Sequence, residues 1–499
     1  MRTNAPFALT VAVLLIGYAA QSATYLNHDV AWVLYSSRLM FHGARFGTDI
    51  IAANPPLIWW ISTIPNAAAE LFGLPVIATF RIFVLLLAAT SLFVANRFLI
   101  AKKASASTRL LFLATGAYLL TIGVHRDYGQ REHLTVMLVL PYILAVAHRM
   151  DGRQLSTIAG FAIGVAAGIG TAFKPHFLLA PLLLETVLAW RTRSLRTVIR
   201  PETLGAAAAV TLYAAAVLIF TRPWLFGALP DIARVYWAFE EPAPVLIPIA
   251  IRFFIPLCAT LLVLRFNPSS QSEVLVLAAL GFFGAALLQG KYYTYHIYPA
   301  YTLLLLAFMI GIASMRKAWR FPAIALAAFA VFLNLQDTVG SLINRSDRGA
   351  LGKNIADAVA FVDQHSAADG SFLAISTHPY PGFPTALYAQ RRWASPSNSA
   401  IFLPAVVHLR EAGHLADREL LGFAERKARE AMMRDLATAP DVVLVDLRDV
   451  RHAIGRSKFD YLQFFMEDPA FRTAWADYEP ATSSPTGFAA YVRKRGGRS

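Results

Sequence analysis

Residues 75–99 read PVIATFRIFVLLLAATSLFVANRFL, a stretch whose only charges are Arg81 and Arg97. Its apolar positions cover every face of a helix, not one stripe, so that helix must lie in apolar surroundings. A bilayer-spanning helix needs about 20 such residues, and this run supplies them. Comparable runs stand at 7–25, 109–124, 134–147, 155–172, 176–190, 203–220, 245–264, 273–289, 297–314 and 321–339. Over all 499 residues 57% are hydrophobic and 15% charged, where an ordinary globular chain has about 25% charged. The first 340 residues hold 38 charged side chains with a net of +12, whereas the last 159 hold 38 with a net of +2. The two regions are composed for different solvents.

Lysine and arginine orient the spans. With a cytoplasmic N-terminus, the inner loops carry Arg2, Lys102 with Lys103 and Arg109, Arg149 with Arg153, Arg191 to Arg200, Arg265, and Arg316 to Arg320. That is the bias expected of cytoplasmic loops. It holds only if Pro55–Phe72 does not span. That segment reads as a surface-lying helix, favoured by Trp59 and Trp60, opened by Pro55 or Pro56 and stopped by Gly73. Only Arg2 precedes the first run and no small-residue cleavage site follows it, so it reads as a retained span. The expected architecture is a polytopic α-helical membrane protein with about eleven transmembrane helices. The first outer loop, 26–74, holds two juxtamembrane helices, at about 30–41 and 56–72.

From 341 to 499 the pattern is that of a soluble α/β domain outside the membrane. Helices are expected at Ile355–Gln364 and within Leu415–Ala439, strands at Ser371–Ser376 and Asp441–Leu447, and a last edge strand at Phe488–Val492. No phosphate loop, nucleophile elbow or metal motif appears in it. Cys258 is the only cysteine, which excludes an intrachain disulfide. The positive charge lies scattered through short loops, which argues against a nucleic-acid partner.

Titratable residues gather on the predicted outer face: Asn27-His28-Asp29, His42, Arg45, Asp49, the run His125–His133 with Asp127, Arg131 and Glu132, Lys174-Pro175-His176, and Lys291 to His296. Carboxylates, imidazoles and cations on one side are what a site needs to deprotonate a nucleophile and hold an anionic leaving group. Each has a plainer reading. Asp29 directly precedes a helix and can serve as its N-cap. The 125–133 loop can be solvated, Lys174 can reach the head groups, and the tyrosines at 292, 293, 295 and 298 can form an aromatic belt.

The order Asn27-His28-Asp29-Val30-Ala31-Trp32, Gly43, Asn54-Pro55-Pro56-Leu57-Ile58-Trp59-Trp60, Leu71-Phe72-Gly73 and Arg81 resembles the GT-C glycosyltransferases. Within them it is most similar to the branch with protein O-mannosyltransferases and lipid A aminoarabinose transferases. The resemblance is specific over 1–100, looser to about 340 and architectural beyond. It implies an inverting transferase that takes a sugar from a polyprenyl-phosphate carrier outside the cytoplasmic membrane and passes it to a lipid, polysaccharide or protein acceptor. It further implies Asp29 as general base, Asp127 or Glu132 as a second acid orienting the acceptor, and phosphate contact by Arg45, Arg131, Lys174, Lys291 and His296. Two departures stand out: Val30 follows Asp29 where the family often has a second acid, and Asn54 precedes the proline pair where it often has a base. The first weakens a metal site at this motif. A divalent ion held by Asp127 or Glu132 with a histidine is the other use of those acids. The rival classes are a transporter or flippase for a lipid-linked glycan and a non-catalytic assembly subunit. Spans nearly free of Asp, Glu and Lys, and without internal repeats, argue against transport.

Overall fold

A computed structural model describes residues 5–241, 243–266, 268–291, 293–315, 339–345 and 350–494, with Phe321 and Ala325. Their contacts divide them into two units. The first comprises Met1–Thr24, Ile64–Ala216 and Glu241–Ile343; the second comprises Tyr25–Thr63, Val217–Glu240 and Asn344–Ser499. Composition alone places a boundary at 340, while contacts assign 25–63 and 217–240 to the unit that holds the C-terminal region.

In the first unit the helices are α1 (Ala5–Ser22), α4 (Val76–Ala101), α5 (Ala106–Thr121), α6 (Arg131–Met150), α7 (Thr157–Ala172), α8 (Leu179–Thr192), α9 (Pro201–Phe220), α11 (Leu246–Phe266), α12 (Ser270–Leu288) and α13 (Tyr298–Ser314). They coincide with the apolar runs; the run at 321–339 falls almost wholly outside the described residues. Among the described residues, six helices are long and apolar enough to cross a membrane, and two shorter apolar helices accompany them. Serine side chains cap three of them: Ser105 on Thr108, Ser156 on Ala159 and Ser269 on Ser272.

Small residues let α7 and α9 approach backbone to backbone. A Cβ on Gly164 would lie 1.9 Å from the Glu202 carbonyl oxygen, one on Gly168 2.6 Å from that of Ala206, and one on Gly205 2.3 Å from that of Phe161. Glycine spaced by four along one helix face is how apolar helices pack where water supplies no drive. The same region holds buried ion pairs that tie α6, α8 and α9. Arg200 donates to both oxygens of Glu185 at 2.6 Å, Tyr142 donates to Glu185 at 2.6 Å, and Arg149 donates to Glu202 at 3.0 and 3.2 Å. Glu185 is thus an acid inside a predicted span, matched by Arg200 at the start of α9.

In the second unit lie α2 (His28–Phe41), the start of α3 (Leu57–Phe72) and α10 (Leu229–Val235). Its C-terminal region adds α14 (Gly352–His365), β1 (Ser371–Ile375), α15 (Thr385–Ala389), β2 (Arg392–Trp393), α16 (Leu403–Ala412), α17 (Arg418–Leu436), β3 (Val442–Asp446), α18 (Tyr461–Met466), α19 (Pro469–Trp475), β4 (Tyr478–Pro480) and β5 (Phe488–Arg493). The five strands are ordered β2-β1-β3-β5-β4. β1 runs parallel to β2 and β3, with Leu373 opposite Val443; β5 runs antiparallel to β3 and β4. The strands β1 and β3 are buried at every position, as their unbroken apolar runs require.

Two expectations change here. β5 is an inner strand, not an edge, because β4 covers it; β4 is too short to alternate, and its Pro480 suits an edge. Trp59 is not at a surface. Its indole N–H donates to the buried Ser36 hydroxyl at 2.7 Å and its ring packs on Phe46. Segment 25–63 docks on the C-terminal region of its own unit. The Tyr388 hydroxyl accepts from Leu26 N–H at 3.0 Å, the Tyr35 hydroxyl accepts from Trp393 N–H at 2.9 Å, and Trp32 and Tyr35 pack on Phe383. Glu467 clamps α16 to α17, accepting two bonds from Arg410 at 2.9 Å and one from Arg429 at 2.6 Å.

Gly164→Ala is expected to lower the melting temperature of the full-length protein in lipid nanodiscs, a cost of about 1–3 kcal/mol from overpacking. Gly422→Ala, whose new Cβ meets nothing within 4 Å, is expected to raise it. An unchanged Gly164→Ala would contradict the α7–α9 approach. The hydrogen bonds from Arg410, with Arg429, pull the Glu467 carboxyl from 4.5 down to about 2. Its contribution is therefore full above pH 4.5 and lost as pH falls toward 2. Glu467→Gln should lower stability at pH 7 by less than about 1 kcal/mol, the carboxylate being half-exposed. In urea titrations that difference should vanish across the same acid window; a gap constant with pH would refute it.

Candidate active site

The second unit carries Asp29. The sequence allows Asp29 to cap α2, but Asn27 is the cap, its side-chain oxygen accepting from the Asp29 N–H at 2.9 Å. Asp29 stands instead in the first turn, where the helix dipole favours a carboxylate. Its side chain is 26% exposed, with the His28 Nε2 3.9 Å from Oδ1. His28 begins a row of imidazoles: its ring centroid is 4.5 Å from His378, which is 5.3 Å from His452. His378 Nδ1 accepts the Tyr380 N–H at 2.9 Å. Burial, followed by the charges of His28, His452 and Arg448, holds His378 well below the usual histidine range. Neither His378 nor His452 announces itself in the sequence. The available signal is position: His378 lies just beyond the C-terminal end of β1, where open α/β sheets place their ligands.

Arg45 is elsewhere in that unit. It sits on an exposed turn closed by Asp49, whose Oδ2 accepts the Arg45 N–H at 2.8 Å and lies 3.7 Å from its Nε. The turn accounts for both charges, and Arg45 is not drawn into the Asp29 group.

The first unit brings together most of the remaining residues. Arg131 and Glu132 open α6, directly after Gly129, whose φ of +85° turns the chain. The Gly129 N–H donates to His133 Nδ1 at 3.0 Å while His133 Nε2 bonds the Leu120 carbonyl at 2.9 Å, so His133 is a buried latch for this turn. Lys174 precedes Pro175 and is extended, as a residue before proline must be, which points it away from α7. His296 lies in a single 3-10 turn, Thr294–Ile297, before α13. Lys174 Nζ is 2.6 Å from Glu132 Oε1 and 2.5 Å from Gln289 Oε1. His296 Nε2 is 3.9 Å from the same Glu132 oxygen. The Tyr295 and Phe177 rings flank Lys174, each centroid 5.8 Å from Nζ. Arg131, Lys174 and Lys291 all lie within electrostatic reach of His296.

Glu132, Lys174 and His296 are each more than nine-tenths buried. Burying an ion pair is costly unless its remaining polar atoms are matched. Two are not: Glu132 Oε2 and His296 Nδ1 have no hydrogen-bond partner among the described residues. Of the cations, Lys174 pairs with Glu132, while Arg131 and Lys291 are placed by their electrostatic reach of His296. Gln289 carries no charge and so gives no sequence signal, although it holds Lys174 as closely as Glu132 does. Asp127 is buried in the 3-10 turn His125–Asp127, within electrostatic reach of Tyr298 and not among the Glu132 contacts. Tyr292 lies outside the described residues. No group of three His, Cys, Asp or Glu side chains suited to a metal occurs among the described residues. Glu132 and His296 offer two donors, of which Glu132 is engaged by Lys174, so this set does not fit a divalent ion.

The fold is similar to that in the crystal structure of ArnT from Cupriavidus metallidurans in the apo state. The match has a TM-score of 0.56 at 13% sequence identity and covers 97% of each chain. At that identity the likeness is one of fold: the chain is ArnT-like in architecture. No family model and no curated protein matches the sequence.

Lys174→Met strands the Glu132 carboxylate in a buried site and is expected to destabilise the protein by about 3–5 kcal/mol. Adding Glu132→Gln to Lys174→Met should restore most of that loss, read as melting temperatures in nanodiscs. Additive losses in the double variant would mean the two side chains do not form a pair.

Proposed function

We propose that the protein is an inverting glycosyltransferase that moves a hexosyl or pentosyl unit from a polyprenyl-phosphate carrier to an envelope acceptor. In this reading about eleven helices span the cytoplasmic membrane, and the active site and the domain at 341–499 face outward. The observation that carries it is the buried cluster of Glu132, Lys174 and His296, with Arg131 and Lys291 within electrostatic reach of His296 and with Glu132 Oε2 and His296 Nδ1 unmatched among the described residues. The ArnT-like architecture and the resemblance of residues 1–100 to GT-C enzymes support it.

The chemistry follows from the residues. Asp29 takes the proton of the acceptor hydroxyl or amine as that atom attacks the anomeric carbon. Attack comes from the face opposite the carrier, so the configuration inverts through an oxocarbenium-like transition state. The bond from the anomeric carbon to the phosphate oxygen breaks, and its electron pair leaves as added negative charge on the polyprenyl phosphate. Arg131, Lys174 and Lys291 stabilise that charge in a partly dehydrated site, where each acts more strongly than in water. His296 donates a hydrogen bond to a phosphate oxygen. Glu132 is a positioning residue, keeping Lys174 protonated and aimed, while Asp127 orients the acceptor. Arg45, on its exposed turn, serves at most to attract the anionic carrier.

The test is transfer from a panel of radiolabelled polyprenyl-phosphate sugars by the full-length protein in nanodiscs, with the acceptor identified by mass spectrometry of envelope glycans. Asp29→Asn should reduce kcat by about 10²–10⁴-fold, the usual contribution of a general base. Wild-type turnover by Asp29→Asn ends the base assignment, and no transfer from any polyprenyl-phosphate sugar ends the enzyme reading.

A further inference from the structure

Within the second unit a cavity of about 640 Å³ opens between the loop after β2, the C-terminal half of α17 and the 217–240 segment. It shares no residue with the Asp29 group. That volume lies inside the range of about 300–1,000 Å³ typical of small-molecule sites. Its walls are mixed: Leu373, Ile232 and Met432 give apolar surface, while Thr48, Ser397 and Ser399 give hydroxyls. The loop is held in place from three directions. Pro396 O accepts from Ile51 N–H at 2.7 Å, Ser395 Oγ accepts from Ser397 N–H at 3.1 Å, and Ser397 O accepts from the Trp393 indole at 2.7 Å.

The charges on these walls select the occupant. Lys427 Nζ sits 2.7 Å from Asp231, and Arg434 donates to Asp435 Oδ1 at 2.9 and 3.0 Å. Both cations are thus offset, and a third acid, Glu430, lies 3.9 Å from both Lys427 and Arg426. A phosphate or carboxylate ligand would have to compete with these acids for cations already paired. Asp435 is itself buried, and that burial raises its pKa against the opposing pull of Arg434 and a hydrogen bond from the Ser395 hydroxyl. An acyl chain would strip the remaining water from this carboxylate and give nothing back. A ligand with both hydroxyl donors and C–H faces would satisfy acids, serines and apolar wall together.

We propose that this cavity binds a neutral saccharide, through hydroxyl contacts to Asp435, Glu430 and the Ser395–Ser399 loop and C–H contacts to the Leu373–Met432 wall. That the saccharide belongs to the acceptor rests on the transfer reading above; that it binds does not.

The experiment is an array of neutral di- to tetrasaccharides, with charged counterparts, probed with the full-length protein in lipid nanodiscs. Alkyl maltosides are excluded because they carry a competing sugar. Dissociation constants of the retained glycans are then measured by calorimetry for wild type, Ala431→Phe and Asp435→Asn. The expected result is at least one neutral saccharide bound, with affinity reduced tenfold or more by Ala431→Phe, which fills the cavity, at unchanged melting temperature. Asp435→Asn, nearly isosteric, should also weaken binding tenfold and carries the test if Ala431→Phe does not fold. No neutral glycan retained, tighter binding of the charged counterparts, or affinity indifferent to the variants overturns the proposal. Binding is read without donor or turnover, so a failure here leaves the transfer reading standing, and a failure of transfer leaves this one standing.

Discussion

A charge taken out of water must be matched, and the pair formed by Lys174 and Glu132 is how the candidate site in the first unit meets that requirement. The pair fixes the entry to α6 against the turn that follows α7, with Gln289 from the end of α12 as the third member. Three separate segments converge on this one ammonium. Among the described residues Glu132 Oε2 and His296 Nδ1 stay unmatched, and a buried polar group without a partner calls for one. A phosphate oxygen surrounded by Arg131, Lys174 and Lys291 completes it in the transfer reading.

The second unit solves a different problem. Its sheet is small, and the segments 25–63 and 217–240 enlarge its core, with Val235 and Ala238 joining the side chains around Phe423 and Phe464. Asp29 therefore rests on a helix whose buried face packs on Trp59 and the sheet region, so segment 25–63 is a built part of this unit. The Asn27 cap holds the Asp29 backbone N–H, and His28, packed against His378, lies 3.9 Å from the Asp29 carboxylate.

Much of the fold was legible because solvent writes it into composition. The ten apolar runs on described residues are helical, and the unbroken apolar strings Phe372–Ile375 and Val442–Val445 became strands buried on both faces. What stayed hidden had no period to read. β4 has three residues, and Trp59 faces a serine from another helix, a pairing that only the fold creates. In the site, Lys174, Glu132 and His296 were named from charge and position on the predicted outer face. Gln289 carries no charge, and His452 is solitary in the sequence, so neither stands out before the chain folds; His378 has only its position after the strand 371–375 as a signal. Glu185 shows the converse, an acid within an apolar run made tolerable by Arg200 and Tyr142.

The central claim is that the cations around His296 receive the carrier phosphate, and a photoreactive ligand reports on it most directly. A short-chain polyprenyl phosphate bearing a diazirine beside the phosphate would be crosslinked to the full-length protein in nanodiscs and the labelled peptides mapped. Labels are expected on the segments holding Lys174 and Lys291–His296, competed away by unlabelled polyprenyl phosphate. Labels spread along the lipid-facing helices, or confined to the Arg149–Arg200 region, would contradict it.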